Sequence, residues 1–133
     1  MDYKELMKSA QEARKFSYTP YSHFKVGAAL LTKSGKVYTG CNIENAAYTP
    51  TNCAERTAIF KAVSEGETEF EAIAIVGGRD GETSPLCAPC GVCRQVIAEF
   101  CDSDFKIILG TEENYSVHTL SSILPYSFGK KDL

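Results

Sequence analysis

Leu6, Met7, Ala10 and Ala13 recur at helical spacing within a polar stretch, which predicts a first helix over about Asp2 to Lys15. Two runs rich in β-branched and apolar residues follow, Val26 to Leu31 and Lys36 to Ile43. They flank Lys33-Ser34-Gly35 and therefore read as two strands joined by a turn. Ala54, Ala58, Ile59, Ala62 and Val63 form the next helical stripe, from near Cys53 to Gly66, with Thr51 or Asn52 as the capping residue after Pro50. Phe70 to Gly77 is apolar at nearly every position, the pattern of a buried strand. Pro89 suits the first turn of a third helix running to about Phe100, and Phe105 to Leu109 gives another buried strand. The tail after Gly110 reads as a short strand and a short helix near Thr119 to Leu124. Strands alternating with helices place the chain in the α/β class, and they predict a mainly parallel sheet covered on both faces.

Composition narrows the class without changing it. A chain of 133 residues, 44% hydrophobic and 23% charged, has the length and core of one globular domain spanning 1–133. A net charge of -3 and the lack of a basic run argue against a nucleic-acid backbone as partner, and favour a small molecule. Met1-Asp2-Tyr3-Lys4-Glu5 begins a polar amphipathic stretch without a signal peptide's apolar run. No segment has the length of a membrane span, so the expected location is the cytoplasm. In that compartment six cysteines point to metal or catalysis rather than to a disulfide framework.

The cysteine spacing then supplies the chemistry. Cys53-Ala54-Glu55 and Pro89-Cys90-Gly91-Val92-Cys93 offer three soft ligands and one unattached carboxylate. A structural zinc site closes its tetrahedron with four protein ligands, whereas a hydrolytic one keeps three and leaves the fourth position to water. The arrangement is a known signature of zinc-dependent nucleobase deaminases, with the glutamate as acid and base. Cys53 and Cys90 both fall at expected helix starts, where the helix dipole and free amides favour a thiolate. Three thiolates on Zn2+ leave one net negative charge, and Arg56, one turn beyond Cys53, is placed to donate to the sulfurs. Cys87-Ala88-Pro89-Cys90 makes a second, overlapping Cys-x-x-Cys, so a fourth thiolate closing a purely structural site is the competing arrangement. Cys90 and Cys93, with the preceding proline, are the preferred ligands. Cys41 and Cys101 read as small buried apolar residues, and His23 and His118 as structural or surface residues. Asn42 and Glu44, two apart at a strand end, share a face. A carboxamide and a carboxylate side by side suit adjacent sugar hydroxyls.

Five segments in order, Phe24 to Leu30, Gly40 to Tyr48, Cys53 to Ala58, Pro89 to Val96 and Leu124 to Gly129, together resemble the small cytidine deaminases over nearly the whole chain. The resemblance implies a three-layer α/β/α sandwich around a central mixed five-stranded sheet. It implies hydrolytic deamination of cytidine and deoxycytidine in pyrimidine salvage, with one Zn2+ per subunit held by Cys53, Cys90 and Cys93. Glu55 would pass protons from water to ring N3 and the exocyclic amine, and Arg56 would support the ligands. Substrate contacts would come from Phe24, against the pyrimidine ring, and from Asn42, Glu44, Ala54 and Tyr48. Phe128 would close a neighbouring subunit's site in a homotetramer. As a strand aromatic, Phe24 also has an ordinary reading as core. The connection from Gly77 to Leu86 looks longer than the family pattern. Two other functions fit parts of the pattern: deamination of a different amino-pyrimidine nucleoside, and a zinc-stabilised binding module using Cys87 as fourth ligand.

Overall fold

A computed structural model describes all of residues 1–133. Its order is α1 (Tyr3–Ala13), β1 (Phe24–Thr32), β2 (Val37–Cys41), α2 (Ala54–Ser64), β3 (Phe70–Arg79), α3 (Gly91–Phe100), β4 (Lys106–Gly110), β5 (Tyr115–Thr119) and α4 (Leu120–Ile123). Short 3-10 turns follow α1 at Arg14–Phe16 and close the chain at Lys130–Asp132. The apolar stripes fixed these elements to within a few residues. α1 starts where the Asp2 carboxylate accepts from the Glu5 amide at 2.8 Å. The expected short strand and helix in the tail are β5 and α4.

The five strands lie in the order β2-β1-β3-β4-β5. β1 pairs antiparallel with both β2 and β3, β4 pairs parallel with β3, and β5 returns antiparallel along β4. The sheet is therefore mixed, as the family resemblance implied, and not mainly parallel, as the helix-strand alternation suggested. The reason lies in the connections. β2, β3 and β4 all point the same way, as strands joined through helices do, but β1 is inserted between β2 and β3. A hairpin adds β5 at the far edge. One neighbouring pair is left parallel.

Side chains alternating along β3 divide the core in two. Ile73 and Ile75 face α2 and α3, packing with Ala58, Ile59, Ala62, Ile97, Ile107 and Leu109. Ala72, Ala74 and Val76 face Leu6, Met7 and Ala10 of α1 together with Ala29 and Ile108. Helices cover both faces, giving three layers, and each fully buried aliphatic side chain contributes about 1.5 to 3 kcal/mol. Gly40 brings α2 close to β2: a Cβ there would stand 2.5 Å from the Ala54 carbonyl oxygen and 2.6 Å from the Ala58 amide nitrogen. That contact places the start of α2 over the end of its preceding strand. No helix is long and apolar enough to cross a membrane.

Candidate active site

The directions of β2, β3 and β4 put their carboxyl ends on one edge of the sheet, where α2 and α3 both begin. Open α/β sheets characteristically bind ligands at that edge. Cys53 is the residue before the first turn of α2, and Cys90 holds the same position before α3. Both cysteines thus stand at helix starts, as their places in the sequence suggest, and only the caps differ. Thr51 and Asn52 do not cap α2, because Asn52 is held in an extended bridge with Ile43. Pro89 lies outside α3, whose cap is Cys90, its sulfur accepting from the Cys93 amide at 3.5 Å.

The sulfurs of Cys53, Cys90 and Cys93 lie within 4.8 Å of one another. A tetrahedral zinc with sulfur at about 2.3 Å would set its ligand sulfurs about 3.8 Å apart, and those of Cys53 and Cys90 are 3.7 Å apart. The donor set fits zinc in chemistry and in spacing. The Arg56 guanidinium donates to Cys53 Sγ at 3.2 Å, and its Nε is buried without a partner. Cys53 is pulled down to about 5, first by the hydrogen bond from Cys93 and then by Arg56. Cys93 is raised, first by that same bond and then by burial.

Glu55 enters α2 one residue inside this cluster and is only 4% exposed. Burial pushes its carboxyl up to about 7, and the negative charge on Cys53 adds to the rise. A carboxyl poised there can both take and return a proton near neutral pH. Cys87 stands apart from the three sulfurs. It is seated on β3, where a Cβ on Gly77 would meet its sulfur at 2.5 Å. Burial first, and the nearby Glu55 charge next, push its thiol up to about 11, so it remains protonated at neutral pH.

The other residues singled out in the sequence are placed as follows. Asn42 follows β2 and turns its amide onto β1: its Nδ2 donates to the Phe24 carbonyl at 2.8 Å and its Oδ1 accepts from the Val26 amide at 2.9 Å. It thereby holds the backbone on which Phe24, half-buried at the start of β1, is mounted. Glu44 does not lie beside it on a strand, since β2 ends at Cys41. Its carboxylate instead accepts from the Tyr21 and Ser22 amides at 3.0 and 3.2 Å and from the Ser22 hydroxyl. Tyr21, Ser22, Glu44, Asn45 and Tyr48 line a cavity of about 350 Å³. Tyr48 is 74% exposed, has a left-handed backbone (φ 63°) and meets Tyr21 edge to face at 6.5 Å. Ala54, the first residue of α2 between Cys53 and Glu55, is fully buried. Phe128 is 60% exposed and attached through its carbonyl, which accepts from Gln95 at 2.8 Å. Cys41 and Cys101 are half-buried rather than core residues.

Three residues outside the sequence reading also shape this edge. Arg94 donates to the Pro89 carbonyl at 2.8 Å and the Ile123 carbonyl at 2.6 Å, tying the start of α3 to α4. Arg14 is buried and ties the end of β3, through Gly78 O at 3.1 Å, to the long connection after it, through Glu82 O and Thr83 Oγ1 at 2.7 and 3.0 Å. Ser22 is the third. The bonds from Arg94 to Ile123, Arg14 to Glu82 and Ser22 to Glu44 join positions distant in sequence, so no local pattern marks them.

Three thiols and one buried carboxylate at the carboxyl edge of an α/β sheet make a centre of hydrolytic type. Residues 1–109 match the family described as the cytidine and deoxycytidylate deaminase zinc-binding region, and the chain belongs to that family. Within it, the chain is 49% identical over 134 residues to the cytidine deaminase of Sporosarcina psychrophila, covering 100% of this chain and 96% of that one. It is 50% identical to the cytidine deaminase of Halalkalibacterium halodurans, covering 100% and 98%. The fold is similar to the crystal structure of cytidine deaminase from Burkholderia pseudomallei, with a TM-score of 0.88 and 46% identity over 96% of this chain and 100% of that one.

Proposed function

We propose that this protein is a cytidine deaminase that hydrolyses cytidine, and deoxycytidine, to uridine or deoxyuridine and ammonia. The observation that carries the reading is the convergence of Cys53, Cys90 and Cys93 beside the buried Glu55. The three thiols would hold one zinc ion per chain, which when bound supplies the Lewis acidity that ionises water at neutral pH. Glu55 accepts the proton released from the attacking water, delivers it to ring N3, and moves a proton to the exocyclic nitrogen so that ammonia departs from C4. The Ala54 backbone borders the ring edge, and Phe24 offers it a flat apolar face. Glu44, with Asn42 behind it, accepts from the sugar. Arg56 offsets the charge of the thiolates.

The whole chain acts as one catalytic domain in cytoplasmic pyrimidine salvage. Tyr48 and Phe128 are large exposed side chains, which supports a homotetramer in which each subunit helps to close a neighbour's site. Ammonia release from cytidine by the zinc-loaded protein, with cytosine and adenosine as controls, tests the reading. Turnover of cytidine alone is expected, and zinc-replete protein inert toward cytidine would overturn it.

A further inference from the structure

We propose that Ser22 is a positioning residue for the sugar-binding carboxylate, fixing Glu44 so that one oxygen keeps a single open place for a nucleoside hydroxyl. This rests on the assignment of Glu44 to the sugar. A carboxylate has about four acceptor places, two on each oxygen. The Tyr21 and Ser22 amides occupy Oε1. The Ser22 hydroxyl occupies one place on Oε2, leaving the other facing the cavity beside Asn45 and Tyr48. The hydroxyl has one proton, and its own oxygen accepts from the Phe24 amide at 3.0 Å. That bond directs its proton toward Glu44.

The Phe24 amide thus orients the hydroxyl that holds Oε2, with the intervening His23 taking a left-handed backbone (φ 57°) that makes the turn, while Phe24 itself is held independently by Asn42 through its carbonyl. The same bonds, that of Ser22 first, hold the Glu44 carboxyl below its ordinary range and so keep it ionised as an acceptor. Without the hydroxyl, the two amides still hold Oε1, but Oε2 swings freely and the sugar meets a carboxylate that must first be ordered.

The test uses zinc-loaded Ser22→Ala, Ser22→Thr, Glu44→Ala and the Ser22→Ala/Glu44→Ala double variant. It measures kcat and KM for cytidine, and the inhibition constant of 2',3'-dideoxycytidine as a competitor lacking both secondary hydroxyls. Ser22→Ala is expected to raise the cytidine KM about 5- to 30-fold, the loss of one ordered bond to a charged acceptor, with kcat nearly unchanged. Dideoxycytidine should bind the variant as it binds the parent, Ser22→Thr should restore KM, and the double variant should be no worse than Glu44→Ala. Equal weakening of cytidine and dideoxycytidine, a loss confined to kcat, or additive effects in the double variant would overturn the proposal. A silent Ser22→Ala alongside an impaired Glu44→Ala sinks the role of Ser22 alone. A silent Glu44→Ala sinks the sugar assignment and this proposal with it.

Discussion

At the scale of single residues, the site separates cysteines that look alike in the sequence. Cys87 and Cys90 both belong to a Cys-x-x-Cys, yet only the sulfur of Cys90 joins those of Cys53 and Cys93. Cys90→Ala should therefore lose zinc and activity together, while Cys87→Ala keeps a full complement of metal and near-parental turnover. Metal analysis of the two purified variants is the check, and equal zinc loss would point to a closed four-thiolate site. Glu55 presents a different case, since its neighbours are ligand candidates and its own proposed role is proton transfer. Glu55→Gln conserves volume and leaves the sulfurs in place, so zinc and fold should survive while single-turnover deamination falls by at least about 10² to 10⁴-fold. Near-normal turnover in a zinc-replete Glu55→Gln protein would refute the shuttle. These residues were legible because ligand spacing is local: Cys-x-Glu and Cys-x-x-Cys each sit within one helical turn. Ser22 was not legible, because its bond to Glu44 joins positions 22 residues apart and exists only after β1 and the β2 end are brought together.

At the scale of elements, the apolar periodicity fixed which segments are helices and strands, but strand direction and helix caps depend on contacts the pattern does not contain. Two strands joined through a helix run the same way whether they end up adjacent or separated, so the alternation could not reveal that β1 lies between β2 and β3. The cap of α2 is likewise Cys53 and not Thr51 or Asn52, because Asn52 is drawn into its bridge with Ile43. The packing of α2 on Gly40 shows how closely the site depends on such contacts. In Gly40→Ala the added methyl meets backbone atoms of Ala54 and Ala58, which cannot swing aside as a side chain would. We expect a loss of about 1 to 3 kcal/mol in urea denaturation, together with a fall in kcat as the helix carrying Cys53 and Glu55 is pushed off its seat. A variant as stable and as active as the parent would show that α2 can shift without moving the site.

For the whole molecule, the sheet edge is an assembly point: β2 delivers α2 to it, β3 delivers α3, and β1 begins there with Phe24. The two helix starts that face each other belong to positions 37 residues apart, so the three sulfurs meet only in the folded chain. Metal affinity is then conformational selection for the native state, and by linkage zinc must act on folding as a ligand that the unfolded chain binds less well. Each tenfold rise in free zinc above its dissociation constant should add about 1.4 kcal/mol to unfolding, raising the melting temperature stepwise in calorimetry. Cys90→Ala should melt at the same temperature whatever the zinc concentration, and a parent protein equally indifferent to zinc would contradict the linkage. A zinc ion held there would thereby also report on the integrity of the chain, and its scarcity would thin the population of folded protein as well as silence the proposed chemistry.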